Sequence, residues 1–463
     1  MAFDFRRTAG FALAPVLAAT LLSAPVAAQT LEEALSLAYQ TNPALLAARA
    51  QLRQVDENAP QARAGWRPTV SASLTGGITD VDTETDGVTT TDDSSVPTTG
   101  ALTVTQPLYR GGRTRAAVTQ ADLDIQAQRA ALFATEQDTL LQGVTAYVNV
   151  IRDGSLQQLQ INNVQRLEKQ LEATQDRFRV GEVTRTDVAQ AESRLARSQA
   201  DRTAAEGDLI TSRVVFERVI GAVPDQVVKP GVAAGLPVNR DEAVDIAVRE
   251  NFNLARVKFQ EQSSQRGVDL VFGELLPTLN LVAQANQSYN TSGRDNETTE
   301  LTAELQLTIP LYQAGSVSSR VRASKEVANR ARLLVDDQRR IVVETAASAY
   351  EAYQTTLAQI DSLRAEVQSS EIALEGVQQE ATVGARTVLD VLDAEQELLD
   401  AQVSLVLAER NAVVASYQLL SALGRLTAQD LGLPVDIYNY DEHYLDVYDK
   451  YYGTEPPGVQ PGN

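Results

Sequence analysis

The stretch V-G-E-V-T-R-T-D-V-A-Q-A-E fills residues 180–192, and V-G-A-R-T-V-L-D-V-L-D-A-E fills residues 383–395. Set one above the other without a gap, seven of the thirteen positions are identical, at an offset of 203 residues. In each, a glycine suited to reversing the chain is followed by threonine and aspartate, which favour the first turn of a helix. Helical spacing flanks both phrases. Ile360, Leu363, Val367, Ser370, Leu374, Val377 and Ala381 step by three and four before the second, and Val391, Ala394, Leu398, Ala401, Leu405, Ala408 and Ala412 after it. Val164, Leu167, Leu171, Thr174 and Phe178, then Val188, Ala191, Leu195 and Ser198, keep the same frame around the first. Heptad spacing with small residues on one seam predicts two antiparallel helical hairpins, one turning at each phrase.

The echo extends outward. Gln106-Pro107-Leu108-Tyr109 is answered by Ile309-Pro310-Leu311-Tyr312, and Ile220-Gly221 by Leu423-Gly424, again 203 residues on. Leu31–Ala34 and Arg67-Pro68-Thr69 are answered by Arg240–Ala243 and Leu276-Pro277-Thr278 at an offset of 209, so a loop between Pro68 and Pro107 differs by six residues. Two copies of one domain-sized unit follow. The first spans 29–223, with strands near 68–80 and 98–108 and a hairpin over 112–221; the second spans 240–428, with strands near 277–290 and 300–311 and a hairpin over 315–424. Residues 224–239, with Pro224, Pro230 and Pro237, read as a linker in a belt around the middle of the molecule. In the tail, 429–463, Tyr440, Tyr444, Tyr448 and Tyr452 stand four apart, which predicts a short helix with an aromatic face against that belt and a disordered end. No proline interrupts 108–223 or 311–433, and a proline inside a helix costs about 3 kcal/mol. A helix from Gly112 to Arg179 is roughly 100 Å long at 1.5 Å per residue, a length that suits a rod or a tube.

Composition removes several classes. The net charge of -21 over 463 residues argues against nucleic acid. Without cysteine there is no disulfide and no thiolate metal site, and His443 is the only histidine. No metal or cofactor is implied, and no carboxylate pair flanks a recognisable substrate cleft. Residues 1–28 carry Arg6 and Arg7, an apolar run and Val26-Ala27-Ala28, the pattern of a signal peptide for export; no cysteine follows to carry a lipid. No later run of 18 apolar residues occurs, so any membrane span must be built of strands.

Thr69–Ile78, Ala101–Leu108, Leu279–Tyr289 and Leu301–Leu311 alternate apolar and polar residues over about ten positions, the length that crosses a bilayer when tilted. The polar stretch 79–95 carries six acids and no base and reads as an outer loop. Four strands leave two unpaired edges, which lipid does not tolerate, so several copies must share one barrel. Two copies give eight strands and a filled interior; three give twelve and a lumen. The rival reading is a soluble periplasmic coiled-coil scaffold without a pore.

With the duplicated units, the two P-L-Y junctions, the two V-G-x-x-T turns and R-T-x-x-D-V-L-D in the second, the chain resembles the TolC family of outer-membrane channels over roughly residues 30–433. The resemblance implies a mainly α fold with a transmembrane β part: a homotrimer whose twelve-stranded barrel in outer-membrane lipid continues into a periplasmic coiled-coil tunnel. It implies no enzyme, but the exit duct of a tripartite efflux or type I secretion system. The partners would be a periplasmic adaptor (membrane fusion) protein and an inner-membrane transporter of the ABC or RND type. Carried over by position, Arg386 and its partner Asp187, with Thr186 beside it, form the gate; Asp390 and Asp393 ring the constriction. Val180, Gly181, Val383 and Gly384 mark the turns where the adaptor docks. Ala381 stands where the family has a latching tyrosine. Copies of Asp390 and Asp393 brought together by symmetry would raise each other's pKa and attract a cation.

Overall fold

The protein is described by a computed structural model covering residues 29–85, 88–224, 226–291 and 295–455. The predicted signal peptide and the last eight residues of the tail lie outside the described residues.

Two hairpins dominate. In the first, α4 (Arg113–Arg179) returns as α5 (Arg185–Ile220); in the second, α8 (Ser316–Thr382) returns as α9 (Val388–Leu423). The two long helices are 67 residues each and the two returning helices 36 each. Each long helix begins after a left-handed glycine, Gly112 or Gly315, and each returning helix ends on one, Gly221 or Gly424.

The shorter helices extend the returning ones. α1 (Leu31–Thr41) and α2 (Pro43–Asp56) meet at Asn42, and α6 (Arg240–Glu250) and α7 (Phe252–Phe272) meet at Asn251. The Asn42 side chain caps α2 by accepting from the Ala44 N–H, and its amide donates to the Val219 carbonyl at the end of α5. Asn251 does the same between Leu254 and Ala422, joining α7 to α9. One side chain thus satisfies donors at a helix start and an acceptor at a helix end. The copies differ in one break: α3 (Asn58–Arg63) is separated from α2 where Pro60 lacks an N–H, whereas α7 runs on unbroken.

The main core lies where these joints meet the middle of α4. Leu35, Leu45, Leu140, Val144, Tyr147, Phe216 and Ile220 are almost wholly buried there. The linker packs on it: the Tyr147 hydroxyl lies 2.8 Å from the carbonyls of both Gln29 and Val228, which share its one proton, and accepts from the Val228 N–H, and the Ala233 N–H donates to Ser416 Oγ. The tail helix α10 (Tyr440–Tyr448) starts against this core, with Tyr438 and Tyr440 packed on it. It packs on α2 and α3 with Tyr440 edge-on to Phe133 of α4, and it points toward the sheet.

The sheet has the antiparallel order β1 (Thr69–Gly76), β4 (Thr98–Arg110), β5 (Thr278–Tyr289), β6 (Glu297–Thr308). The expected outer loop at 79–95 is instead a ribbon, β2 (Thr79–Thr85) paired with β3 (Val88–Ser95). Thr, Val and Ser at most of its positions suit extended backbone, and its register shifts between Thr83 and Glu84. The extra six residues fall here.

Candidate functional site: the two-faced sheet and the tip of the hairpins

The register sorts the strands into rows. Val70, Val104, Ala283 and Ala303 stand side by side, as do Ala72, Leu102, Ala285 and Leu301. Between them lie Ser71, Thr103, Gln284 and Thr302. Because neighbours along a strand point to opposite faces, one face of the sheet is apolar and the other polar. Val70, Leu74, Leu301 and Leu305 are 65%, 81%, 79% and 67% exposed. β1 and β6 are the two edges, and β6 is exposed along its whole length. Among the described residues no helix is long and apolar enough to cross a membrane.

At the far end, the quoted phrases form the two turns. Gly181 and Gly384 have φ of +85° and +79°, a conformation that an L side chain rarely adopts. The Thr184 hydroxyl accepts from the Asp187 N–H, while Asp187 Oδ2 accepts from the Thr184 N–H at 2.7 Å and the hydroxyl at 2.8 Å. Thr387 and Asp390 repeat this capping box at 2.9 and 2.8 Å. The capping threonines are therefore Thr184 and Thr387; Thr186 is an exposed first-turn residue.

The turns line one cavity of about 430 Å³, to which Asp187, Ala381, Gly384 and Arg386 all contribute. The expected Arg386–Asp187 pair is not formed within the chain. Arg386 Nε donates to Glu380 Oε2 at 2.8 Å, in the last turn of its own α8, and Asp187 Oδ2 is engaged by its cap. Hydrogen bonds from the Thr387 N–H and hydroxyl, with the nearby Arg386 charge, hold the Asp390 carboxyl below the usual range. Within one chain this is opposite to the shift expected from clustering. The Glu380 carboxylate raises the pKa of Arg386.

Asp393 has a partner that the sequence reading missed. Arg194 Nη2 of α5 donates to Asp393 Oδ1 at 2.6 Å, tying one hairpin to the other. The available signal was position: Arg194 stands one heptad after Asp187 on the same helix. Between the hairpins, Leu167, Ala191, Val388 and Leu392 form a small apolar cluster, and Glu395 is buried nearby with its Oε2 unpartnered. Burial raises the Glu395 pKa. Ala381 also lines a second cavity of about 160 Å³ between α4, α8 and α9. Among the described residues no cluster of three or more acidic, His or Cys side chains is placed to hold a metal.

Comparison with known proteins agrees with this architecture. The chain is 35% identical to the outer membrane efflux protein BepC of Brucella suis biovar 1 over 448 residues, 96% of each chain. It is 26% identical to the outer membrane protein TolC of Escherichia coli K12 over 361 residues, covering 73% of this chain and 71% of that one. Its fold superposes on the CmeC outer membrane channel of Campylobacter jejuni with a TM-score of 0.77 at 14% identity, covering 90% and 89%. The outer membrane efflux protein family matches residues 34–222 and 243–425, the two repeated units. This chain belongs to the outer membrane efflux protein family: it is an outer-membrane exit channel with a helical periplasmic extension.

Proposed function

We propose that three copies close a twelve-stranded barrel by pairing β1 of each with β6 of the next, and that the hairpins close a gated tunnel beneath it. The observation that carries this is the sheet: one face apolar in its two central rows, the other polar in the row between them, and two edges without partners among the described residues. In lipid each unpaired N–H or C=O costs several kcal/mol, so the edges have to meet. Twelve strands leave a lumen lined by the polar face. A soluble scaffold would expose the same apolar rows to water, which disfavours that reading.

At the tip, Asp390, Asp393, Arg386, Asp187 and Thr186 form the constriction, and Val180, Gly181, Val383 and Gly384 present the exposed turns to a periplasmic adaptor. An inner-membrane transporter of the ABC or RND type supplies the energy for tripartite efflux or type I secretion; the channel itself is passive. The Arg194–Asp393 bridge is partly exposed and contributes only about 0.2–1 kcal/mol, a latch that adaptor binding can release. Single-channel recording in planar bilayers tests both levels. Replacing Asp390 and Asp393 by Ala is expected to raise conductance and abolish block by multivalent cations applied from the helical side. Unchanged conductance and unchanged block would refute the gate; a protein that is soluble and does not conduct would refute the channel.

A further inference from the structure

The described part of the tail reaches a place that channel function does not require. Arg67, two residues before β1, donates from Nη1 to the Lys450 carbonyl at 2.8 Å and stacks its guanidinium 3.9 Å from the Tyr451 ring centre. Just below, Arg63 pairs with Asp449 and lies 3.9 Å from the ring centre of Tyr448, and Arg129 sits over Tyr440 and Tyr444. The tail is thus fastened along α3 and α4 and delivered to the level at which the sheet begins. There Tyr451 is 74% and Tyr452 90% exposed. Trp66, the only tryptophan, is half exposed at the same root, its carbonyl accepting from Gln106 of β4.

We propose that Tyr451 and Tyr452, with Arg67 and Lys450, form a docking surface for the phospholipids of the leaflet on the helical side of the sheet. A tyrosine has an apolar ring and a polar tip, and membrane proteins concentrate such rings at headgroup depth. The charge pattern points the same way. Arg67, Arg110, Arg113 and Lys450 lie at the strand roots, where Arg63 is already paired with Asp449, whereas 79–95, beyond the opposite end of β1 and β4, carries six acids and no base. Basic groups beside aromatic rings complement lipid phosphates. The inference rests on the membrane-spanning reading of the sheet.

The test uses the full chain in vesicles of phosphatidylethanolamine and phosphatidylglycerol. In a Trp66→Phe background, tryptophan is placed singly by Tyr451→Trp, Tyr452→Trp or, as a strand control, Leu301→Trp. Phospholipids brominated near the acyl carbonyl or near the chain end serve as quenchers. The tail positions are expected to emit to the blue of exposed tryptophan and to be quenched about twofold more by the shallow label than by the deep one. Water-like, unquenched emission from both tail positions while Leu301→Trp is quenched overturns this proposal alone. Blue-shifted but unquenched emission that reddens on dissociating the oligomer assigns the surface to a second copy of the chain and also overturns it. Absence of quenching at all three positions removes the membrane reading itself.

Discussion

The two hairpins are copies in length, caps and turns, yet they are buried on opposite members. In the first it is the long helix α4 that disappears into the interior, with Ile125, Leu140, Val144 and Tyr147 nearly inaccessible, while α5 leaves Ile210 and Val214 exposed. In the second it is the returning helix α9 that is buried, through Leu392, Leu398, Leu419 and Leu423, while α8 leaves Val327, Leu333, Leu334, Ile341 and Ile372 exposed. Duplication gave both units the same seams, but side-by-side packing sets chiefly the facing members, α4 and α9, against each other within one chain, with α5 reaching α9 through Ala191 and Arg194 near the tip. The outward members carry apolar residues that no described part of the chain covers, as the sheet carries an apolar face and two edges unpaired among the described residues. Helices and strands therefore make the same statement about copy number.

This asymmetry can be broken or sharpened by mutation. The largest effect is expected from Leu301→Arg on the apolar face. A lipid-facing arginine near the middle of a strand costs about 2–4 kcal/mol, read as a lower denaturant midpoint in vesicles, while Thr302→Arg on the opposite face should leave the midpoint near that of the parent and alter conductance. Leu140→Ala in α4 should cost about 2–5 kcal/mol in chemical unfolding of the monomer. Leu334→Ala in α8 should stay within about 0.5 kcal/mol in the same assay and instead raise the concentration at which the oligomer dissociates. Equal effects of the two leucines on the monomer would dissolve the comparison.

At the tip, Thr184→Ala and Thr387→Ala should each cost about 1 kcal/mol of local stability, seen as faster amide exchange in the first turns of α5 and α9. The smallest effect is a pH dependence. The folded Asp390 pKa is lowered, so its capping contribution is present above the unfolded carboxylate pKa and is lost as pH falls through the folded value. Amide exchange in the first turn of α9 should accelerate across that acidic range, and Asp390→Asn should flatten the response.

Much of this was legible in advance because it is local or periodic. The two turn phrases, the absence of proline from the long spans and the alternation in Leu301–Leu311 each act through the chain's own backbone. The ribbon at 79–95 was misread because a run of acids resembles a loop, whereas extension there is set by cross-strand pairing. The Arg194–Asp393 bridge escaped because its two halves lie 199 residues apart and belong to different hairpins. Arg386 was assigned to Asp187 by positional match; within the chain Arg386 instead donates to Glu380 and the Asp187 carboxylate accepts from Thr184.

The sequence by itself determined the repeat, the hairpins, the glycine turns and the two-sided character of the strands, since each follows from the spacing of side chains along one backbone. Only the tertiary structure decided which helix of each hairpin is buried, which rows of the sheet coincide and where the tail is fastened. Those outcomes depend on register and contact between segments hundreds of residues apart, and spacing along a single segment carries no term for them.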